Sequence, residues 1–267
     1  MDTQPQKYFN ILVIGDGCID QFHYGVCERL SPEAPVPVFK HVRTEQYGGM
    51  MHNVCSNLSA FHDVKIDKLT NTEEIRKERF VDVRTNQHLL RADYGEDKKV
   101  SFLCENLLES TLSKKKYDAI IVSDYDKGFI SNTIADIISS KKIPVFVDTK
   151  KKDYGCYQNC ILKINEAEFE RAKEYWRKTS LEKTEVIVTL GGRGARWREK
   201  IYPTVPREAF DVSGAGDTFL ASFVYSFLKS EGDMEKAIMF ANQCSGIVVQ
   251  KKGTYSLTAE DICGIRI

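Results

Sequence analysis

Short runs of β-branched and other apolar residues, each followed by a stretch with helical spacing, recur along most of this chain. The clearest runs are Phe9 to Gly15 (FNILVIG), Asp118 to Ser123 (DAIIVS), Ile143 to Asp148 (IPVFVD), Cys160 to Ile164 and Glu185 to Leu190 (EVIVTL). Continuous apolar runs are typical of strands buried on both faces of a parallel sheet that helices cover. The recurrence therefore predicts an α/β domain.

Helices are predicted between and after these strands. They cover Asn53 to Phe61, Ser131 to Ser140, Glu166 to Lys178, Gly216 to Lys229 and Met234 to Gln250. Serine is a favoured helix N-cap, which supports a helix start at residue 131. The order of strands and helices predicts one domain over residues 1–267.

Two segments depart from this rhythm because their polar and apolar residues alternate. They are Ala34 to Gln46 (APVPVFKHVRTEQ) and Arg79 to Asp93 (RFVDVRTNQHLLRAD). Alternation indicates strands with one solvated face, as in an antiparallel sheet. We interpret them as strands of a small β-sheet lid, and the alternative is a pair of peripheral hairpins without function.

Composition excludes several classes of protein. The 267 residues hold 38 Lys and Arg against 38 Asp and Glu, which argues against a nucleic-acid-binding surface. No apolar stretch approaches the roughly 20 residues of a membrane helix, and residues 1–10 do not resemble a signal peptide. The eight cysteines form no CxxC pair, so they are expected to be buried or incidental thiols. We expect a cytoplasmic protein without a nucleic-acid or membrane partner.

The strongest functional signal is Asp211 to Phe219 (DVSGAGDTF), at the start of an apolar helix. Gly214 and Gly216 carry no side chain, so backbone amides there can approach an anion closely. The first turn of a helix adds unpaired N–H groups and the positive end of the helix dipole. Asp217 beside this turn is a carboxylate able to accept a proton from an alcohol. Phosphoryl transfer requires these two elements, an anion seat and a base.

This motif resembles the DTxGAGD signature of the ribokinase-like (PfkB) carbohydrate kinases, with Ser213 where threonine is usual. Further motifs of that family follow in order along the chain. They are the di-glycine Gly48-Gly49 with Asn53, the NxxE motif of Asn165 and Glu168, the TxGxxG segment of Thr189, Gly191 and Gly194, and the adenine-flanking Asn242. The resemblance implies a three-layer α/β/α domain with a mostly parallel central sheet and a small β-sheet lid.

One branch of the family matches better, the D-glycero-β-D-manno-heptose-7-phosphate kinases. The string Ser31 to Val38 (SPEAPVPV) is a sharp marker, and Ser123 to Gly128 (SDYDKG) and Asn86 to Asp93 (NQHLLRAD) are others. The resemblance implies phosphorylation of the anomeric hydroxyl of heptose 7-phosphate or a similar phosphorylated sugar, on the way to activated heptoses for lipopolysaccharide or other surface glycans.

The resemblance also assigns roles to residues. Asp217 is the base, and Gly214, Ala215 and Gly216 form the anion seat. The sugar is bound by Asp20 and Asn53, with Gly48 and Gly49 letting the backbone approach the ring. Arg29 and Arg91 are expected to bind the distal phosphate, because a guanidinium matches phosphate geometry, and Asp124, Lys127 and Lys150 are further residues assigned to the anionic sugar pocket. ATP is expected to contact Asn165, Glu168, Thr189, Gly191, Gly194, Ser213 and Asn242.

The implied cofactors are ATP and Mg²⁺, with Asn165 and Glu168 holding Mg²⁺ largely through water because that ion dehydrates reluctantly. A monovalent cation such as K⁺ is left open, and the family suggests a homodimer. No nucleotidyltransferase segment follows in this sequence, so the form with one activity is expected.

Two departures bear on the substrate. The stretch between Asp63 and Lys77 is shorter than the resemblance leads us to expect, by about one strand–helix unit, and the di-glycine segment reads GGMMHNV rather than GGAANV. The altered segment allows a kinase of an unphosphorylated sugar or a nucleoside. A third hypothesis is a non-catalytic descendant that binds sugar or nucleotide, although a pure binder needs no base.

Overall fold

The computed structural model describes residues 7–96, 100–176, 184–205, 207–251 and 253–265. Its strands are β1 (Phe9–Gly15), β2 (Gly17–Leu30), β3 (Pro37–Met50), β4 (Val64–Thr70), β5 (Arg76–Asp82), β6 (His88–Tyr94), β7 (Ala119–Asp124), β8 (Val145–Thr149), β9 (Ile161–Asn165), β10 (Glu185–Thr189), β11 (Ala195–Trp197) and β12 (Lys200–Tyr202). Its helices are α1 (Met51–Leu58), α2 (Glu105–Lys114), α3 (Asn132–Ser139), α4 (Glu166–Trp176), α5 (Ala215–Lys229), α6 (Met234–Val248) and α7 (Ala259–Ile262).

The central sheet has eight strands in the order β12-β11-β10-β9-β8-β7-β1-β4. All neighbours from β10 to β4 pair in parallel, whereas β11 and β12 form an antiparallel edge. The carboxyl ends of parallel strands meet at one edge of a sheet, where α/β proteins place their sites. In this chain β1 and β7 end beside the site described below, with Asp16 and Tyr125 directly after them.

Side-chain alternation along β1 shows why helices cover both faces of the sheet. Ile11 and Val13 belong to the core cluster that includes α1, α5 and α6, and Leu12 and Ile14 belong to the one that includes α2 and α3. All four are fully buried. The predicted three-layer α/β/α arrangement with a mostly parallel sheet is therefore confirmed.

The lid is a second sheet of four strands in the order β3-β2-β5-β6. β2 pairs in parallel with β5, and the two outer pairs are antiparallel. Of the two segments that the alternation assigned to a lid, 34–46 lies in β3 from residue 37 onward, and 79–93 covers parts of β5 and β6 with a turn between them. The long strand β2 was not predicted, because its inward positions include Asp20 and so break the apolar alternation.

The shortened stretch after Asp63 contains only β4, at the edge of the central sheet. Residues 71–75 then lead straight into the lid strand β5. Arg177 and Lys178, at the predicted end of α4, lie outside the described residues. No helix in the part of the chain that the structure describes is long and apolar enough to cross a membrane.

Candidate active site

The glycine turn before α5 separates two cavities, each of about 200 Å³. Ser213, Gly214 and Asp217 face the first, which the lid strands β2 and β5 also line, and we call it the acceptor cavity. Ala215 and Gly216 face the second, which lies against α6 and which we call the nucleotide cavity. Gly216 and Asp217 stand in the first turn of α5, where helix amides have no intrahelical acceptor. One short turn thus lines one cavity with the residue that carries the carboxylate, Asp217, and the other with the start of α5 at Ala215 and Gly216.

Asp217 is buried, with 6% of its surface exposed, yet it lines the acceptor cavity. Its Oδ2 accepts from Asn53 Nδ2 at 2.9 Å and its Oδ1 from the Tyr125 hydroxyl at 3.2 Å. Burial, and then repulsion from Asp148, raises the pKa of Asp217 to about 6, against the Asn53 bond and the lysines 163 and 150. A carboxyl with this pKa is largely ionised at neutral pH and is a better proton acceptor than an ordinary aspartate.

Gly214 makes the approach of Asn53 to Asp217 feasible. It is the N-cap of α5 with φ of 79°, and a Cβ there would lie 2.5 Å from Asn53 Nδ2. Asn53 is fully buried in α1, and its Oδ1 accepts from Asn57 and Ser256. The amide is therefore held on both sides, and Asn53, which was predicted to bind sugar, positions the carboxylate of Asp217.

The acceptor cavity contains one carboxylate and two cations from the lid. Asp20 on β2 accepts from Arg79 at 2.5 Å, and Lys77 lies directly across from Asp20 in the β2–β5 pairing. All three line the cavity with Cys18, Met50, Tyr125 and Thr254. Gly48 and Gly49 are not among the lining residues, but a Cβ on Gly49 would collide with Asp20 and Cys18. Gly49 therefore allows β3 to pass closely beside the sugar-facing carboxylate.

The nucleotide cavity brings together four residues that the sequence assigned to ATP: Thr189, Gly191, Gly194 and Asn242. Most of its remaining lining is apolar, with Val205, Val212, Phe219 and Val249 among the residues. The Asn242 amide donates to the Tyr202 carbonyl at 2.8 Å, which anchors α6 to β12. Apolar walls with a few polar groups are typical of ligand sites.

A buried charge network lies beneath the turn. Asp148 on β8 contacts Lys163 Nζ at 2.5 Å and Lys150 Nζ at 3.0 Å, and Lys150 reaches Glu168 at 2.7 Å. Burial acts against ionisation of Asp148, but the two ammonium groups hold its pKa below its usual range. A Cβ on Gly216 would lie 2.8 Å from Lys163 Nζ, so this ammonium group places a positive charge next to the anion seat.

The NxxE motif forms a capping box at the start of α4. Asn165 Oδ1 accepts from the Glu168 amide at 2.8 Å, and Glu168 Oε2 accepts from the Asn165 amide at 2.9 Å. With its other oxygen on Lys150, Glu168 has no oxygen free of a protein partner. Each oxygen keeps a second lone pair, which fits a contact with a metal through water, the form that Mg²⁺ favours. Among the described residues, no three His, Cys, Asp or Glu side chains gather in a metal-binding arrangement.

Several predicted sugar-site residues lie outside the acceptor cavity. Arg29 is exposed at the end of β2, and Arg91 on β6 is half-exposed and forms a two-pronged pair with Asp93 at 2.7 and 2.8 Å. Asp124 is buried and accepts from Thr149 and Tyr157. Lys127 contacts Glu96 at 3.0 Å. The structure does not bring these four side chains together with Asp217.

Sequence reasoning missed several cavity and network residues, among them Lys77, Arg79, Tyr125 and Lys163. Lys163 had a detectable signal, because a lysine inside the apolar strand Ile161–Asn165 must find a buried partner. Tyr125 follows the carboxyl end of a predicted strand, a favoured site position. Lys77 and Arg79 had no local signal, since their role depends on which face of the lid points inward.

The model of the pfkB family of carbohydrate kinases matches residues 56–261. The bifunctional protein HldE of a Nitratiruptor species is 32% identical over 298 residues, covering 94% of this chain and 64% of the relative. HldE of Haemophilus influenzae (strain PittEE) is 31% identical, with 96% and 63% covered. The chain thus spans a little under two thirds of the length of these curated relatives.

Solved structures share the fold at low sequence identity. Phosphofructokinase-2 from Escherichia coli in complex with potassium has a TM-score of 0.72 at 14% identity, with 96% of both chains covered. Ribokinase from Thermotoga maritima has a TM-score of 0.68 at 17% identity, covering 96% of this chain and 98% of that one. The expected ribokinase-like architecture is confirmed.

Proposed function

Because the chain belongs to the pfkB family of carbohydrate kinases, we propose that it transfers the γ-phosphoryl group of ATP to a sugar hydroxyl. The observation that carries the proposal is the turn of residues 213–217, with Asp217 lining one cavity and Gly216 lining the other. In-line transfer requires the attacking hydroxyl and the leaving ADP on opposite sides of the phosphoryl group. A partition with a base on one side and an anion seat on the other meets that requirement.

Asp217 would accept the proton as the sugar oxygen attacks. The bond from that oxygen to the γ-phosphorus forms, the bond between the γ-phosphorus and the β–γ bridging oxygen breaks, and ADP carries away the electron pair. The first-turn amides of α5 stabilise the charge that develops on the phosphoryl oxygens. Lys163 adds a positive charge beneath the same turn.

ATP would occupy the nucleotide cavity against Thr189, Gly191, Gly194 and Asn242. Asn165 and Glu168 would hold Mg²⁺ through water, and the ion would supply positive charge against the phosphates of ATP. We place the enzyme in the cytoplasm, where ATP is available.

The acceptor would be a phosphorylated sugar, with heptose 7-phosphate or a close relative as the specific candidate. The lid supplies Lys77 and Arg79 to the cavity, and only Arg79 is directly paired with a cavity carboxylate, Asp20. The contact of Lys77 with Glu96 is long, at 3.6 Å, so Lys77 can receive a distal phosphate. The strings SPEAPVPV and NQHLLRAD favour the heptose substrate.

The lid also supports the proposal of a homodimer. Its outer strands β3 and β6 expose the apolar side chains of Val42, Leu89 and Leu90, and an unpaired edge can receive a second copy. Sedimentation velocity at micromolar concentration checks this, and a monomer at all concentrations would contradict it.

The decisive experiment measures ADP release with sugars that do and do not carry a terminal phosphate, with and without K⁺. Asp217→Asn should lower turnover by about 10²–10⁴-fold, the usual contribution of a general base, while nucleotide-induced thermal shifts persist. Asp211→Asn is the matched control, because its Oδ1 caps the Ser213 amide at 2.8 Å and asparagine keeps that acceptor. Near-normal turnover of Asp217→Asn would contradict the role of Asp217 as the base. Turnover only with unphosphorylated sugars or nucleosides would contradict the proposed phosphorylated acceptor.

A further inference from the structure

Met50, at the junction of β3 and α1, has a backbone conformation that side chains rarely adopt. Its φ is 56° and its ψ is −129°, close to the first central position of a type II′ turn, where glycine dominates. Five other non-glycine residues in the described ranges have positive φ: Asn86, Asp126, Asn159, Arg198 and Glu231. All five are at least partly exposed, and Met50 alone among them is buried.

The surrounding structure forces this conformation. Met50 pairs with Gly17 at the end of the β2–β3 ladder, and the next amide, that of Met51, donates to the Asp16 carbonyl at 3.0 Å. The strand must therefore turn into α1 within one residue. Strained residues persist where neighbouring contacts over-determine them, and they cluster at functional sites.

The Met50 side chain lines the acceptor cavity beside Cys18 and Asp20. Met50 and Cys18 also belong to the buried apolar cluster that includes Ile75. Thioether and thiol are weak hydrogen-bond partners, so this wall offers little to a hydroxyl. A sugar hydroxyl pressed against it would lose its bonds to water without replacing them, which is unfavourable.

We propose that Met50 is a specificity-determining residue of the acceptor cavity. Its thioether, with the Cys18 thiol, excludes a hydroxyl and part of the ring volume next to Asp20. The accepted substrate is a phosphorylated sugar that presents a C–H or deoxy carbon to this wall. The inference rests on the proposed function in that it takes this cavity as the acceptor site.

The test compares Met50→Gly and Met50→Ala with the wild type on glucose 6-phosphate, mannose 6-phosphate, 2-deoxyglucose 6-phosphate and sedoheptulose 7-phosphate. Both variants open the wall, so the ratio of kcat/KM for hydroxyl-bearing over deoxy acceptors should rise at least about 10-fold. Glu231→Gly is the control, because it relieves a positive φ of 55° at an exposed turn far from the cavity. It should leave the ratio unchanged. Equal changes for all acceptors in the Met50 variants would overturn the proposal.

A second readout separates strain from volume. Met50→Ala and Met50→Gly lose the same thioether, but only glycine adopts φ of 56° freely. The glycine variant should therefore have the higher Tm of the two, and a lower one would overturn the strained-wall argument. If the wild type transfers phosphate neither to these sugars nor to the heptose 7-phosphate of the proposed function, the proposed activity fails. Ligand-induced Tm shifts on the same panel then test Met50 separately. More sugars shifting the Tm of both variants than that of the wild type would support its role, and the same sugars or none shifting it would overturn that role.

Discussion

The side-chain amide of Asn53 donates to Asp217 Oδ2 across 2.9 Å, joining α1 to the first turn of α5. This bond stabilises the ionised carboxylate and lowers the pKa of Asp217, while burial and Asp148 raise it. A residue that lies 164 positions away in the chain thus partly offsets the effects of burial and Asp148 on the proton affinity of the base.

Replacing Asn53 by alanine should raise the pKa of Asp217 further. Because the base must be ionised to accept a proton, the acidic limb of the kcat/KM profile should move to higher pH, by roughly one unit for a charged hydrogen bond. Ser256→Ala removes a bond to Asn53 Oδ1 without touching Asp217 and should shift the limb less. A uniform loss of kcat/KM with an unmoved limb would contradict this role of Asn53.

Gly214 and Gly216 should respond differently to alanine. At Gly214 the new methyl would meet Asn53 Nδ2 at 2.5 Å on a backbone with φ of 79°, so Asn53 must move away from Asp217. Gly216 lines the nucleotide cavity, and a methyl there meets only the flexible end of Lys163, at 2.8 Å. Steady-state kinetics should show a fall in kcat of about 10²-fold or more for Gly214→Ala, on the scale of a misaligned base, and mainly a higher KM for ATP in Gly216→Ala. The reverse pattern would show that the two cavities are wrongly assigned.

Asp16, directly after β1, should make the free energy of unfolding depend on pH. It is fully buried, its Oδ2 accepts from the Tyr125 amide at 2.7 Å, and its Oδ1 has no partner among the described residues. Burial, and then Asp124, raises its pKa to about 6 from an ordinary value of 3.8. As pH rises, Asp16 therefore loses its proton in the unfolded chain before it does so in the folded protein. The free energy of unfolding falls between pH 3.8 and about 6, and it stays at the lower level above that range.

Asp16→Asn removes this ionisation and keeps an acceptor for Tyr125. Chemical denaturation should be measured for both proteins at about pH 4 and about pH 8. The free energy of unfolding of the variant minus that of the wild type should be larger at pH 8 than at pH 4 by about 2–3 kcal/mol, the equivalent of a pKa shift of about two units. The raised pKa of Asp217 is common to both proteins and cancels in the difference. A stability difference that does not change with pH would disprove the burial of an ionisable carboxyl at this site.

Lys77, rather than Arg91, should recognise the terminal phosphate of the sugar. Lys77 lines the acceptor cavity, whereas Arg91 is half-exposed and forms an ion pair with Asp93. Lys77→Met should raise KM for a phosphorylated acceptor by about 10-fold or more, the scale of one charged contact, with little effect on an unphosphorylated one. Arg91→Met, the matched control from the same sheet, should change both acceptors slightly. Equal effects of the two variants would count against a phosphate site at Lys77.

Much of the fold could be predicted because its signals are local. The buried strands β1, β7, β8, β9 and β10 are continuous apolar runs, and α3 begins after the predicted Ser131 cap, which accepts from the Ile134 amide at 3.2 Å. The strand β2 escaped prediction because Asp20, at an inward position, interrupts its apolar alternation. Asp20 is tolerated there only because Arg79, on the separate strand β5, neutralises it.

The sequence by itself determined the turn Asp211 to Phe219. Two glycines and an aspartate at the start of a helix give close backbone approach and a carboxylate wherever that helix lies in the fold. It could not determine which side chains surround that turn. Tyr125 and Lys163 reach Asp217 or its loop from separate strands of the central sheet, and Lys77 and Arg79 line the same cavity from the lid. Neighbours in sequence set backbone conformation, whereas the charge, shape and proton affinity of a cavity depend on distant segments, and only tertiary packing decides those.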